Sequence, residues 1–81
     1  MLSLSFTNKS IKFLDKCESL LRERITKKIT ELSINPFPSG RIKLGGEEYY
    51  RVRVGDYRIL YAVKDKTLLI YKIDKRSRVY D

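Results

Sequence analysis

Apolar and polar residues alternate on either side of Gly55-Asp56, in the run from Tyr49 to Tyr61 that reads YYRVRVGDYRILY. A period of two predicts strands, and a two-residue loop beginning with Gly predicts a tight β-hairpin with a type II′ or I′ turn. That loop sets the register: Val54 faces Tyr57, Arg53 faces Arg58, Val52 faces Ile59, Arg51 faces Leu60 and Tyr50 faces Tyr61. One face then carries Tyr50, Val52, Val54, Tyr57, Ile59 and Tyr61. The other gathers Arg51, Arg53 and Arg58, with Tyr49 beside them.

Upstream, Leu2, Leu4 and Phe6 alternate with Ser3 and Ser5, the pattern of a short half-buried strand, and Thr7 or Asn8 can cap a following helix. Ile11, Leu14, Cys17, Leu21, Ile25, Ile29 and Leu32 then recur at intervals of three and four, which lays them on one helical face. Glu18–Arg22, Glu23–Lys27 and Lys27–Glu31 form i,i+4 pairs elsewhere. One helix of about 25 residues is long for a small domain, and Ser19 offers an internal cap, so a helical hairpin broken near residues 17–19 is expected, with one long helix as the alternative. Asn35-Pro36-Phe37-Pro38-Ser39-Gly40 stops the helix, with Phe37 expected to plug the core beneath the loop. Residues 41–46 read as an irregular basic approach to the hairpin. Asp65-Lys66 turns the chain into a last strand, Leu68 to Ile73, whose apolar density suggests burial on both faces. The order β-α-α-β-β-β over a single domain, residues 1–81, predicts an α+β fold: a helical hairpin packed on one face of a twisted antiparallel sheet.

Composition narrows the chemistry. Lys and Arg number 18 against 10 Asp and Glu, a net charge of +8, which predicts an acidic partner such as nucleic acid or an acidic protein segment. No apolar run approaches the ~20 residues of a spanning helix, and the N-terminus lacks a signal-peptide core, so no membrane association and a cytoplasmic location are expected. There is no His and a single Cys17. His-based acid–base pairs, Cys–His nucleophiles and His-ligated metals are therefore impossible, no cofactor is expected, and any catalysis must rest on Arg, Lys, Tyr or carboxylates. Cys17 reads as a small apolar filler.

Two arginines opposite each other repel and cost stability, so the arginine face asks for an anion. The tail Asp74-Lys75-Arg76-Ser77-Arg78-Val79-Tyr80-Asp81 follows the last strand and reads either as a frayed solubilising end or as part of the site, with Arg76 joining the cluster and Lys75 and Arg78 as candidate contacts for a nucleic-acid partner.

These residues carry a family likeness. The run YYRVRVGDYRILY, then LLIYKIDKRSRVY after a short turn, with NPFP and a Gly-Gly ahead of them and two basic helices before that, resembles the RelE branch of the RelE/ParE toxin superfamily across essentially the whole chain. The resemblance implies a RelE-like fold and a toxin of a type II toxin–antitoxin pair that cuts messenger RNA in the ribosomal A site. It implies a cognate acidic antitoxin, RelB-like, in a hetero-oligomer with the toxin. Carried onto this sequence, it places a transition-state phosphate contact at Arg58, a second catalytic arginine at Arg76 and an active-site tyrosine at Tyr80. Arg51 and Arg53 fall where RelE-type enzymes often show lysines. Because arginine does not release its proton near neutrality, these two suit phosphate clamping rather than acid or base duty.

Metal-independent RNA cleavage needs a group to take the 2′-OH proton, cations for the charged phosphorane and a donor for the leaving 5′-oxygen. Tyr80 is a candidate base because nearby guanidiniums favour its phenolate. Arg58 suits oxyanion stabilisation, Arg76 the leaving-group side, and Tyr49 stacking on a base. Two other readings stand beside this: a ParE-like toxin that binds DNA gyrase without cutting RNA, and a nucleic-acid-binding module with no activity.

Overall fold

The computed structural model describes residues 1–43 and 49–75. Strand β1 (Ser3–Phe6) leads into helix α1 (Asn8–Lys16), and Thr7 caps the helix, its Oγ1 accepting from the Ser10 N–H at 3.2 Å. Helix α2 (Ser19–Ile34) begins after a break at Cys17-Glu18, inside the expected window. The cap is not Ser19, however: Ser19 is the first helical residue, and Glu18 occupies the cap position with no side-chain capping bond. Arg22 holds the corner instead. Its Nε donates to the Leu14 carbonyl at 2.8 Å, and its Nη2 donates to the carbonyls of Cys17 at 3.0 Å and Asp15 at 3.4 Å. The Leu14 and Asp15 carbonyls lie in the last turn of α1, beyond the reach of its own backbone donors, so one helix caps the other.

Four further strands complete the sheet: β2 (Ile42–Lys43), β3 (Tyr49–Val54), β4 (Tyr57–Lys64) and β5 (Thr67–Lys75). Their order is β1-β5-β4-β3-β2. Strands β2 to β5 pair antiparallel, as expected, but β1 joins β5 in parallel, so the sheet is mixed rather than wholly antiparallel. The pair Ile42–Lys43 also adds an edge strand where irregular chain was expected. Strand β1 is tied at both ends by backbone bonds, Leu2 to the end of α2 (Ser33 carbonyl, 2.8 Å) and Thr7 to the Ile70 carbonyl of β5 at 3.2 Å.

The core lies between the helices and one face of the sheet. Leu21, Ile25, Ile29 and Leu32 of α2 meet Val52, Val54, Ile59, Tyr61, Leu68, Ile70 and Ile73. Along β5 only alternate positions are buried: Leu69 is half-buried and Tyr71 is 43% exposed, so the strand's apolar density does not mean burial on both faces. Ile70 and Ile73 both face the core although three residues apart, because a β-bulge shifts the register between Leu60 and Tyr61. Helix α1 sits rotated from the expected stripe. Ile11 is exposed, whereas Ser10 is fully buried, its hydroxyl lying 2.9 and 3.0 Å from the carbonyls of Thr7 and Ile70, either of which can accept its one proton. Phe37 does not plug the core; it is 46% exposed and lies edge-on to Tyr50 with Arg41 over its ring.

Candidate active site on the sheet face away from the helices

The hairpin fixes the site. Gly55 has φ +59°, and Asp56 stays outside the left-handed region, the pattern of a type II′ turn. A side chain at Gly55 would also collide with the Arg24 guanidinium, whose Nη2 lies 2.7 Å from where a Cβ would sit. With the turn so fixed, Arg53 pairs with Arg58, Val52 with Ile59 and Arg51 with Leu60, as the sequence predicts. Val52 and Ile59 are buried under the helices, and the arginines point to the face that neither helix covers.

Reading across β3, β4 and β5, that face is built in rows. Arg53, Arg58 and Asp74 form the row nearest the turn, Arg51, Leu60 and Lys72 the next, and Tyr49, Ala62 and Leu69 the third. Arg58 Nε donates to Asp74 Oδ1 at 2.7 Å and Nη2 approaches Oδ2 at 3.5 Å, while Lys72 Nζ lies 3.5 Å from the same Oδ2. The anion that the paired arginines call for is thus partly supplied by the chain itself. Asp74 was not visible as a site residue because an unbroken count from the Asp65-Lys66 turn sets Ile73 opposite Arg58. An apolar residue there, on a charged face, was the available sign of a bulge.

Tyr49 sits at the far end of the face, its ring 5.4 Å from that of Tyr71, which the bulge turns outward. Lys75 pairs with Tyr57 and so lies on the opposite side of the sheet from the arginines. Arg76, Arg78 and Tyr80 lie outside the described residues. Tyr61, on the hairpin face opposite the arginines, is fully buried and donates to the Pro36 carbonyl at 2.6 Å. Burial pushes its phenol up to about 12; Arg41 pulls it down and Tyr50 adds a smaller upward push. That bond anchors the proline loop and leaves this tyrosine no catalytic duty.

A second basic feature opens between the helices. A groove of about 1160 Å³ is lined by Phe13, Cys17, Leu20, Leu21, Tyr57 and Ile73, by basic Lys9, Lys12, Lys16, Arg24, Lys27 and Lys72, and by acidic Glu18 and Glu23. Among the described residues no helix is long and apolar enough to cross a membrane.

A family model for the ParE toxin of the type II toxin–antitoxin system, parDE, matches residues 4–80. The chain belongs to this toxin family, within the RelE/ParE superfamily. It is 36% identical over 58 residues to the curated relative "Putative toxin RelE1" of Methanocaldococcus jannaschii, a stretch covering 64% of this chain and 64% of that one. The chain therefore spans a little less than two thirds of that relative's length. Its structure matches RelE in the archaeal RelE–RelB complex from Pyrococcus horikoshii OT3 with 26% identity and a TM-score of 0.81, over 96% of this chain and 98% of that one. The isolated RelE toxin of E. coli shares the fold, with 24% identity and a TM-score of 0.86 over 96% and 87% of the two chains.

Proposed function

We propose that this RelE-like toxin stops translation by cutting messenger RNA on the ribosome, and that a cognate acidic antitoxin neutralises it. The observation that carries the reading is the row Arg53, Arg58 and Asp74 on the sheet face away from both helices, with Arg51 one row away. In the reaction, the 2′-oxygen attacks the adjacent phosphorus as its proton passes to a base. The bond from phosphorus to the 5′-oxygen then breaks, leaving a 2′,3′-cyclic phosphate and a protonated 5′-hydroxyl. Arg58 stabilises the charge that develops on the phosphorane oxygens, where a preorganised donor is worth most. Arg51 and Arg53 clamp flanking phosphates, and Tyr49 offers its ring to a base. Tyr80 as base and Arg76 on the leaving-group side complete the proposal on the strength of the family resemblance.

The test is primer extension on messenger RNA from ribosomes programmed with a defined codon in the A site. The wild-type chain should give cuts at that codon, and Arg58→Ala should give none. Intact RNA with the wild-type protein would remove the nuclease reading.

The antitoxin belongs to the same proposal. The groove between the helices combines apolar lining with basic Lys9, Lys12, Lys16, Arg24 and Lys27, which outnumber acidic Glu18 and Glu23, and this suits an acidic amphipathic segment. Such a partner should raise the toxin's melting temperature by mass action. Mixing the toxin with its neighbouring gene product should show both that shift and loss of cleavage.

The family model that matches is named for ParE, and this favours a second reading, in which the chain binds DNA gyrase as ParE toxins do. A supercoiling assay separates the two: inhibition of gyrase with messenger RNA left whole would select the second.

A further inference from the structure

We infer that Asp74 is a positioning residue for Arg58: its carboxylate grips the guanidinium through Nε and Nη2 and so fixes where that charge meets the RNA phosphate. The inference rests on the nuclease reading above and adds to it a residue that would touch no RNA.

Three observations carry it. Arg58 stands between Arg53 on one neighbouring strand and Asp74 on the other. Repulsion from Arg53 and attraction to Asp74 therefore push the guanidinium the same way. The contact is charge-assisted and uses both carboxylate oxygens, at 2.7 and 3.5 Å, with both side chains about one quarter exposed. Lys72 at 3.5 Å from Oδ2 restrains the carboxylate in turn. Finally, the bulge in β5 absorbs the one extra residue that would otherwise set Ile73 opposite Arg58, and so holds Asp74 there.

A carboxylate next to a phosphate site weakens RNA binding, so its loss should move affinity and rate in opposite directions. A merely structural residue would lower both. The experiment compares wild type, Asp74→Ala and Asp74→Asn by single-turnover cleavage on programmed ribosomes. Affinity is measured separately, on ribosomes whose messenger RNA carries a 2′-deoxy group at the cut site. Asp74→Ala should cut about 10- to 100-fold more slowly at saturation, the cost of a misplaced catalytic group, while binding as tightly as wild type or more so. Asp74→Asn should fall between them, since its amide oxygen still accepts from Nε. An Asp74→Ala rate equal to wild type overturns the inference, and so does a slower rate matched by equally weakened binding. Should the alanine variant not fold, the asparagine variant carries the same comparison. If the wild-type protein does not cut at all, the nuclease reading fails. The Arg58 Nε–H resonance then decides the positioning: slow exchange in wild type that is lost in the variant supports it, and identical exchange in both overturns it.

Discussion

The two faces of the sheet are made from the same strands and do different work. On β4, Arg58 and Ile59 are neighbours in sequence, yet Ile59 is fully buried against α2 and Arg58 stands in a row of charges on the side away from the helices. The covered face holds the apolar area that keeps an 81-residue chain folded. The face away from the helices holds two arginines that oppose each other at a cost to stability. Strand alternation is what allows this separation, because a side chain can be exchanged on one face with little disturbance of the other.

Adjacent substitutions on β4 test the separation most sharply. Arg58→Ala should reduce ribosome-dependent cleavage by about 10³-fold, the upper range for removing one oxyanion donor, while thermal unfolding followed by circular dichroism stays near wild type. Ile59→Ala should do the reverse, lowering stability by about 3 kcal/mol through a core cavity, with the cutting rate of the folded fraction retained. If both variants lose stability alike, the faces are coupled and the comparison fails.

Smaller effects refine it. Tyr61→Phe should cost about 1 kcal/mol in urea unfolding, because the Pro36 carbonyl loses its donor. The phenol's pKa is raised to about 12 in the folded protein, so the folded state holds this proton more tightly than the unfolded chain. The associated stability is complete below about pH 10, the ordinary tyrosine value, and declines as pH rises from there towards 12. Tyr61→Phe should show a flatter decline over that window than wild type. Lastly, Asp65 and Lys66 both adopt left-handed backbone, φ 52° and 60°, and lysine gains nothing there. Lys66→Gly should stabilise the protein by about 0.5–1 kcal/mol in the same unfolding assay, with cleavage unchanged.

Those turns also show what was readable from the sequence and what was not. Gly55-Asp56 fixed the register of β3 on β4, so the arginine row followed from counting residues. The corner between the helices could be placed from spacing, whereas the guanidinium that caps it could not, since Arg22 reaches another helix through tertiary geometry. Periodicity tells which residues share a face but not which strand lies alongside, so the parallel pairing of β1 with β5 was hidden. Helical periodicity likewise favoured Ile11 over Ser10; the hydroxyl is buried because the carbonyls of Thr7 and Ile70 lie within reach to accept its proton. Of the site, Arg51, Arg53, Arg58 and Tyr49 were legible from alternation. Asp74 was not, because its partner depends on the bulge.

That bulge can also be read as an insertion. Without Tyr71, the strand would run Leu68, Leu69, Ile70, Lys72, Ile73, Asp74, a perfect alternation of core and outward residues with the pairings Ile70 to Tyr61 and Lys72 to Leu60 already in step. Tyr71 is thus a supernumerary residue. The strand absorbs it by buckling, and the Thr7 hydroxyl donates to its carbonyl at 2.6 Å. The chain here tolerates a change of length without a change of frame: a protein lacking Tyr71 would keep both its hydrophobic interior and its facing Arg58 and Asp74. What it would lose is the ring beside Tyr49, making position 71 a place where an aromatic can be gained or shed by indel while the charges stay in place.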